Sequence, residues 1–545
     1  MSWTDPLNPL EPNIARGRRR GGPAEVGHIV IIGGGTEGWI TAGLLAARFR
    51  PRDPDGLRIT LIESPAAIGT GLAQGSGPGL RATLQAMKIN ELDLLKACDA
   101  TFRQGSYFRD WLRPGHGYYH PVTPPHRFDT VNLADAWLNF GLNAGLDHAS
   151  GPSFADFVSL QAAICDQHRA PRSPATPPYT AAADYGYHLD AGKVSAFLKS
   201  HVINALGVAY IAAEVRGVRA DAHGYIEALG LDAHPDVSGD LFIDCSGTKA
   251  TLIGGHYGLA PTPVRDELLI DTVLVAPRSY RSPGAPLPSC TLVTAQSAGW
   301  VRDIGLQSRR ITSYLYGAAF AREDEARAVL ALHTGDRDAA DQARKTPLNP
   351  GYRKQMWIKN CVAVGEACGV LEPLDASSIA TVEWAVKALA EQMPATRADM
   401  TALEPRFNER ACARWRALVD FIKLHYALSR REEAFWRANR DPWSMSAWLK
   451  GQLQLWRDRV PAEVDFPGGA ERSAAADYQY VLYGMDYDTR RPPWRDLGFD
   501  RRLAAQAHDE VEQARASVTQ LPTNRAYFEA LRDPSVAAPG GRFGT

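Results

Sequence analysis

The first cluster of apolar positions is His28–Ile32, a short β-branched run that ends in glycines. The next segment, "GGGTEGWITAGLLAARF", changes to a helical period and puts Ile40, Leu44 and Leu45 on one side. "LRITLIES" then returns to a strand and ends on Glu63. Two later segments repeat the first half of this pattern. "DLFIDCSG" (240–247) reads as a strand running into Cys245, Ser246 and Gly247, and "NCVAVGEACGVLEPLDASSIATVEWAVKAL" (360–389) as a strand, a glycine turn and a helix. "YGYHLDAGKVSAFLKSHV" opens another helix with Asp190 as its N-cap, and "GVAYIAAEVRGV" reads as a strand. Residues 288–320 look like strands of a second sheet. Residues 114–186, rich in His, Pro, Tyr and Gly, lack long periodic runs and read as substrate-side insertions. From about 402 apolar residues recur at three and four spacing through an aromatic-rich stretch, which predicts a helical layer with its tryptophans in the core.

The expected organisation is a loose N-terminal tail (1–27), a body over 28–400 containing the second sheet (about 260–335), a helical subdomain over 401–535, and a tail (536–545). Composition narrows the function. A net charge of −1 gives no pull toward nucleic acid or an anionic membrane. The seven cysteines contain no CxxC pair, so no zinc or other metal site and no disulfide framework is expected, and Cys361 and Cys368 read as structural. No apolar run is long enough to span a membrane. The arginines near the start are followed by no signal-type apolar segment before "HIVIIGGG", so the cytoplasm is the expected location.

The glycines carry the first chemistry. Gly33-x-Gly35-x-x-Gly38 crosses the strand–helix junction. Gly33 permits the tight turn, Gly35 lets the backbone approach a pyrophosphate, and Gly38 seats the helix close to the sheet. Amides at the helix start, around Thr36, would hold the phosphates, and Glu63 would bond a ribose hydroxyl. Strand, glycines, helix, strand and terminal acid together indicate dinucleotide binding. The strands at 240–247 and 360–389 favour FAD over NAD. A nicotinamide domain is usually complete within about 150–200 residues, whereas an extended flavin crosses several strand ends. The further cofactor residues expected are Val215, where the strand would flank the adenine, Gly365 and Glu366 in the later glycine turn, and Ser378 and Ile379 at the start of its helix.

"DATFRQGSYFRDW" places Arg103 in an otherwise apolar and aromatic segment. Together with "GGGTEGW", "YGYHLDAG", "DLFIDCSG", "NCVAVGEACGVLEPLDASSI", "FIKLHYALSRREEAFWR" and "LPTNRAYFEAL", it resembles the flavin-dependent tryptophan halogenases over roughly residues 28–530. The resemblance implies an α/β fold of the flavin-monooxygenase type, a Rossmann-like "box" with a helical "pyramid". It also implies reduced FAD delivered by a separate flavin reductase, and a hypohalous acid, made from oxygen and halide, that crosses a short tunnel to an aromatic substrate.

The family's catalytic lysine falls on Arg103 and its "EPLES" glutamate on Asp375. A guanidinium stays protonated and only donates, so Arg103 is a poor haloamine former. Asp375 is one methylene shorter, about 1.5 Å less reach, and a bidentate Arg103–Asp375 pair would compensate. The family's "WxWxIP" becomes "WVRDIG" (300–305), keeping Trp300 and Ile304 and introducing Arg302, Asp303 and Gly305. The strap "VGEAT" becomes "TGLAQ" (70–74), with Leu72 in place of the acid. The leading expectation is an FADH2- and oxygen-dependent enzyme that halogenates or oxygenates an aromatic, indole-like small molecule or a peptide-borne indole. A flavoprotein oxidase or dehydrogenase on the same fold, and an FAD-binding scaffold, are the alternatives.

Overall fold

The computed structural model describes residues 25–65, 73–144, 151–232, 234–466, 474–490 and 500–533. A six-stranded sheet is built on His28–Ile32, which pairs in parallel with Arg58–Glu63 on one side and Leu241–Asp244 on the other. Cys361–Ala363 and Ala209–Ala212 extend it in parallel on the two flanks, and Trp357–Ile358 closes one edge antiparallel. His28–Ile32 is buried throughout, as expected of a central parallel strand. The helix Thr36–Phe49 follows directly and buries Ile40 and Leu45. Asp190 does cap Ala191–Asn204, accepting the Lys193 amide at 3.1 Å. The expected adenine strand is two strands. Ala209–Ala212 is the edge of the main sheet, and Val215–Ala220 belongs to a separate three-stranded one.

The second sheet has seven strands and reaches further back in the chain than its sequence suggests. Besides Thr291–Gln296, Gly299–Gly305 and Arg309–Tyr316, it contains Gly105–Arg109 and Gly117–Pro121. The stretch 114–186 is therefore more regular than its composition implies, with helices at Leu133–Ala144, Phe154–Val158 and Leu160–Asp166 as well. A small sheet of Ala73–Gly75, Gly186–Asp190 and Thr101–Arg103 lies beside the two large ones, and Arg103 ends its last strand.

The C-terminal part is a helical layer led by the 31-residue helix Arg397–Ala427. It buries Val419, Ile422 and Tyr426 against Trp111 and Trp300 of the sheet side, in a core shared with Trp436 and Trp456. Trp443 is the exception to the core reading of these tryptophans, at 92 % exposed. Glu25 pairs with Thr396, and the Val26 amide bonds Ala395 O, so the residues just before the first strand are already tied to the body. Of the expected tails (1–27 and 536–545), residues 1–24 and 536–545 lie outside the described residues.

Candidate active site

A cleft of about 750 Å³ opens at the carboxyl ends of the main sheet's strands, lined among others by Gly33, Gly35, Thr36, Glu63, Val215 and Glu366. This is where an open parallel sheet takes a nucleotide. The glycines divide the work as the motif requires. Gly33 sits at φ +106°, and a Cβ there would collide with the Cys245 carbonyl. A Cβ on Gly38 would collide with Gly33 O, so the helix lies on the turn itself. A Cβ on Gly35 would meet nothing within 4 Å and would project into open space. Gly35 also caps the helix without a side-chain hydrogen bond, which leaves the first amides for a ligand. Glu63 is held by Lys199 Nζ at 2.7 Å and Tyr210 OH at 2.9 Å. These features fit the dinucleotide part of FAD.

Gly38 and Gly365 do not border the cleft; they shape its wall from behind. Gly365, at φ +71°, has no room for a Cβ because the Glu37 carboxylate lies against it. Ser378 is exposed at the start of the helix Ser377–Glu391 and Ile379 is buried in the core, so neither borders this cleft. Glu37, unremarked in the sequence, does border it. Its Oε2 accepts the Glu366 amide at 2.9 Å. Burial and the Glu366 charge push its carboxyl up to about 8.

Arg103 is 2 % exposed, and four of its five N–H groups are engaged. Nε donates to Thr291 Oγ1 and Nη1 to Ser76 O, both at 3.3 Å. Nη2 donates to Ser106 Oγ at 2.8 Å and Asp375 Oδ1 at 2.7 Å. The pair with Asp375 is thus made, though not in bidentate form, because His120 takes the other oxygen. His120 Nδ1 lies 2.9 Å from Asp375 Oδ2, and its Nε2 lies 3.4 Å from Asp477 Oδ1. Ser106 and His120 face each other across the antiparallel pair Gly105–Arg109/Gly117–Pro121, so one sheet edge delivers both to the carboxylate. Asp375 adopts φ 53°, ψ 37°, a left-handed conformation that costs a non-glycine residue about 1 kcal/mol or more. Burial would raise its carboxyl, yet His120 and Arg103 hold it well below the usual range. Burial would likewise lower His120, but Asp375 and Asp477 push it up to about 10. The result is a fixed carboxylate between two cations, with its side chain 18 % exposed while Arg103 is shut in.

The residues of "WVRDIG" separate by strand alternation. Asp303 points away from this site and is gripped by Arg278 at 3.2 Å, Thr312 and His333 at 2.8 Å, anchoring the helix Glu323–Thr334. Trp300 points toward the helical layer, where its Nε1 donates to Tyr426 OH at 2.7 Å. Tyr426 OH in turn donates to Glu372, three residues before Asp375. Leu72 of the strap lies outside the described residues.

A protein-family model described as "Tryptophan halogenase" matches residues 28–495. The chain belongs to the tryptophan halogenase family. A crystal structure of a tryptophan halogenase from Shewanella frigidimarina is 37 % identical with a TM-score of 0.88, covering 93 % of this chain and 98 % of that one. The flavin-dependent halogenase BrvH from Brevundimonas sp. BAL3 is 30 % identical with a TM-score of 0.79, covering 93 % and 99 %. Tryptophan 6-halogenase SttH of Streptomyces toxytricini is 27 % identical over 527 residues, covering 92 % and 98 %. The protein is accordingly a flavin-dependent oxidoreductase of the halogenase type with FAD as its cofactor. Among the described residues no helix is long and apolar enough to cross a membrane.

Sequence reading missed His120 and Ser106. The available signal was the alternation in "GYYHP", which puts Tyr118 and His120 on one buried face of a strand.

Proposed function

We propose that this enzyme halogenates the ring of an indole-bearing substrate, with an ionised Asp375, held by Arg103 and His120, as the group that meets the reacting ring. Bound reduced FAD, supplied by a separate flavin reductase, provides the two electrons that turn oxygen and halide into hypohalous acid. The observation that carries the reading is Asp375 itself: an ionised, oriented and partly accessible carboxylate at the position of the family's glutamate.

The residues divide the reaction as follows. Ar–H and HOX become Ar–X and water. As the ring attacks the halogen, positive charge grows on the ring carbon, and a preorganised anion stabilises it. Asp375 then accepts the ring proton. The departing hydroxide takes that proton on from Asp375 and leaves as water, and the Arg103 and His120 charges return Asp375 to its ionised form. A guanidinium cannot lose its proton to become a haloamine, so the electrophile is polarised by hydrogen bonding and not carried covalently on residue 103.

Oxygenation of the same substrate is the second reading, favoured by the altered "WVRDIG" segment. The test is mass spectrometry of an indole panel, free and peptide-borne, after incubation with FAD, a flavin reductase, NADH and either bromide or chloride. A brominated product that requires bromide supports halogenation. A hydroxylated product formed equally without halide overturns it.

A further inference from the structure

The two oxygens of Asp375 are held unequally. Oδ1 accepts Arg103 Nη2 and Ser106 Oγ, which fills both of its lone pairs. Oδ2 meets His120 Nδ1 at 2.9 Å and, among the described residues, no other donor. Oδ2 is therefore the oxygen with room for a proton, and His120 is the side chain that aims it.

His120 is itself held from behind. Its Nε2 lies 3.4 Å from Asp477 Oδ1, so the imidazole stands between two carboxylates. Asp477 belongs to the first turn of the helix Ala474–Gly484, where a negative charge is favoured. Positions 477, 480 and 484 share one face of that helix. The Tyr480 ring lies 5.6 Å from the His120 ring, and a Cβ on Gly484 would collide with the Tyr118 ring. Tyr118 and His120 share the buried face of the strand Gly117–Pro121, so helix and strand meet in one fixed register. Charge gives the contact its purpose. Asp375 alone would face two cations, Arg103 and His120, and Asp477 supplies the second negative charge beside a buried imidazolium. From the helix Arg397–Ala427, Phe421 walls the imidazole at 5.8 Å, and His425 is kept neutral by burial, down to about 3. Beyond Asp477, the carboxyl of Glu463 feels its charge and that of Asp129.

We infer that Asp477 is a positioning residue of the reacting site: from its solvent-facing side it holds the His120 imidazolium in place, and His120 in turn aims Asp375 Oδ2. The far carboxylate of a carboxylate–imidazole–carboxylate chain orients the ring and stabilises its charged form, without touching the substrate. The inference rests on the reading of Asp375 as the group that meets the ring.

The test is a pH titration of His120 in FAD-bound protein labelled at histidine Cε1, followed by 1H–13C NMR and assigned against His120→Gln. In Asp477→Asn the His120 transition should fall about 1–3 pH units below that of the parent, the effect of losing a carboxylate at this distance. Asp477→Glu should restore most of the shift, and Glu463→Gln, which removes a nearby charge outside contact, should move it far less. FAD binding, followed by flavin fluorescence, reports whether each variant is folded. The alkaline limb of halogenation should move down with the His120 transition in Asp477→Asn, with KM for the indole little changed. An unshifted His120 in Asp477→Asn, or a shift as large in Glu463→Gln, would overturn the proposal. A shifted His120 with product formation unaltered at every pH would count instead against Asp375 as the reacting group, so the two failures are separable.

Discussion

The two ends of this active site are built on different principles. The FAD cleft is a backbone device: Gly33, Gly35 and Gly38 lie within six residues, and what they offer is a turn, open space and free amides. The reacting end is a side-chain device. Arg103, Ser106, His120 and Asp375 come from three strands and a loop, with 272 positions between Arg103 and its carboxylate. A backbone cradle tolerates almost any side chains around it. A cluster of fixed charges does not, because each ion left without its partner inside the protein is costly. The contrast explains how this chain keeps the cofactor half of the family pattern while changing the reacting half. Arg103 meets the short side chain of Asp375 through one oxygen, and His120 occupies the oxygen that a bidentate arginine would have taken.

Predictions that strain this contrast begin at the reacting end. Asp375→Asn keeps the shape and removes the charge. Halogenation at saturating substrate should fall roughly 100- to 1,000-fold, the range for losing a preorganised group, with FAD affinity unchanged. A steady-state comparison with parallel flavin titrations checks both halves. Loss of FAD binding in this variant would show that the two ends are not separable.

At the other end, Gly35→Val places a branched side chain in the open space of the cleft. FAD binding should weaken by about 2 kcal/mol or more, close to 30-fold. Equal affinity in the variant would mean that the pyrophosphate does not approach this turn.

The pH behaviour also divides. His120 is raised to about 10 from an ordinary value near 6.5. Its contribution to stability is therefore complete below about 6.5 and is lost as pH rises through about 10. At saturating FAD, halogenation should fall on an alkaline limb near 10 that disappears in His120→Gln, which a pH–rate profile of both proteins would show. In the cleft, Glu37 is raised to about 8, by burial first and the Glu366 charge second. The Glu37 carboxylate faces Glu366 and the thiols of Cys245 and Cys368, while Glu63, Lys199, Glu214 and Lys249 complete the charged rim of the cleft. Bringing a pyrophosphate dianion there favours the protonated form. FAD affinity should decline above about pH 8 by up to about tenfold per unit, one proton's worth, and Glu37→Gln should flatten the decline. Calorimetry in buffers of different ionisation enthalpy would detect the proton uptake directly, and its absence would remove the linkage.

The smallest effect expected is at Trp300. Trp300→Phe removes the hydrogen bond to Tyr426 but leaves the tyrosine bonded to Glu372, so a loss of about 1 kcal/mol is expected in denaturant unfolding. A loss above about 3 kcal/mol would mean that packing of the buried indole, more than its hydrogen bond, holds the sheet–helix contact.

What the sequence disclosed follows the same division. The cleft was legible because its signal is contiguous: glycines at fixed spacing between a strand and a helix, with an acid at the next strand end. The strands at Cys361–Ala363 and Leu241–Asp244 were legible for the same reason, as apolar runs leading into turns. Arg103 and Asp375 were legible through the family resemblance, and their contact was anticipated in kind but not in geometry. His120 was not, because its role arises from register. Only when Ser106 stands opposite His120 does the imidazole reach the carboxylate. Trp300 and Asp303 are close in sequence yet serve opposite faces of a strand whose neighbours come from elsewhere in the chain, so their roles appear only in the folded sheet.

The most direct test of the central claim is a double-mutant cycle on Arg103 and Asp375, read as bromination of an indole at saturating FADH2. Arg103→Lys and Asp375→Glu would be made singly and together, with Arg103→Gln as the charge-removed control. A direct Arg103–Asp375 contact predicts that each single change lowers turnover, that the pair recovers part of the loss with a coupling of about 1–3 kcal/mol, and that Arg103→Gln is severely impaired. Efficient chlorination by the parent that persists undiminished in Arg103→Gln would contradict the account.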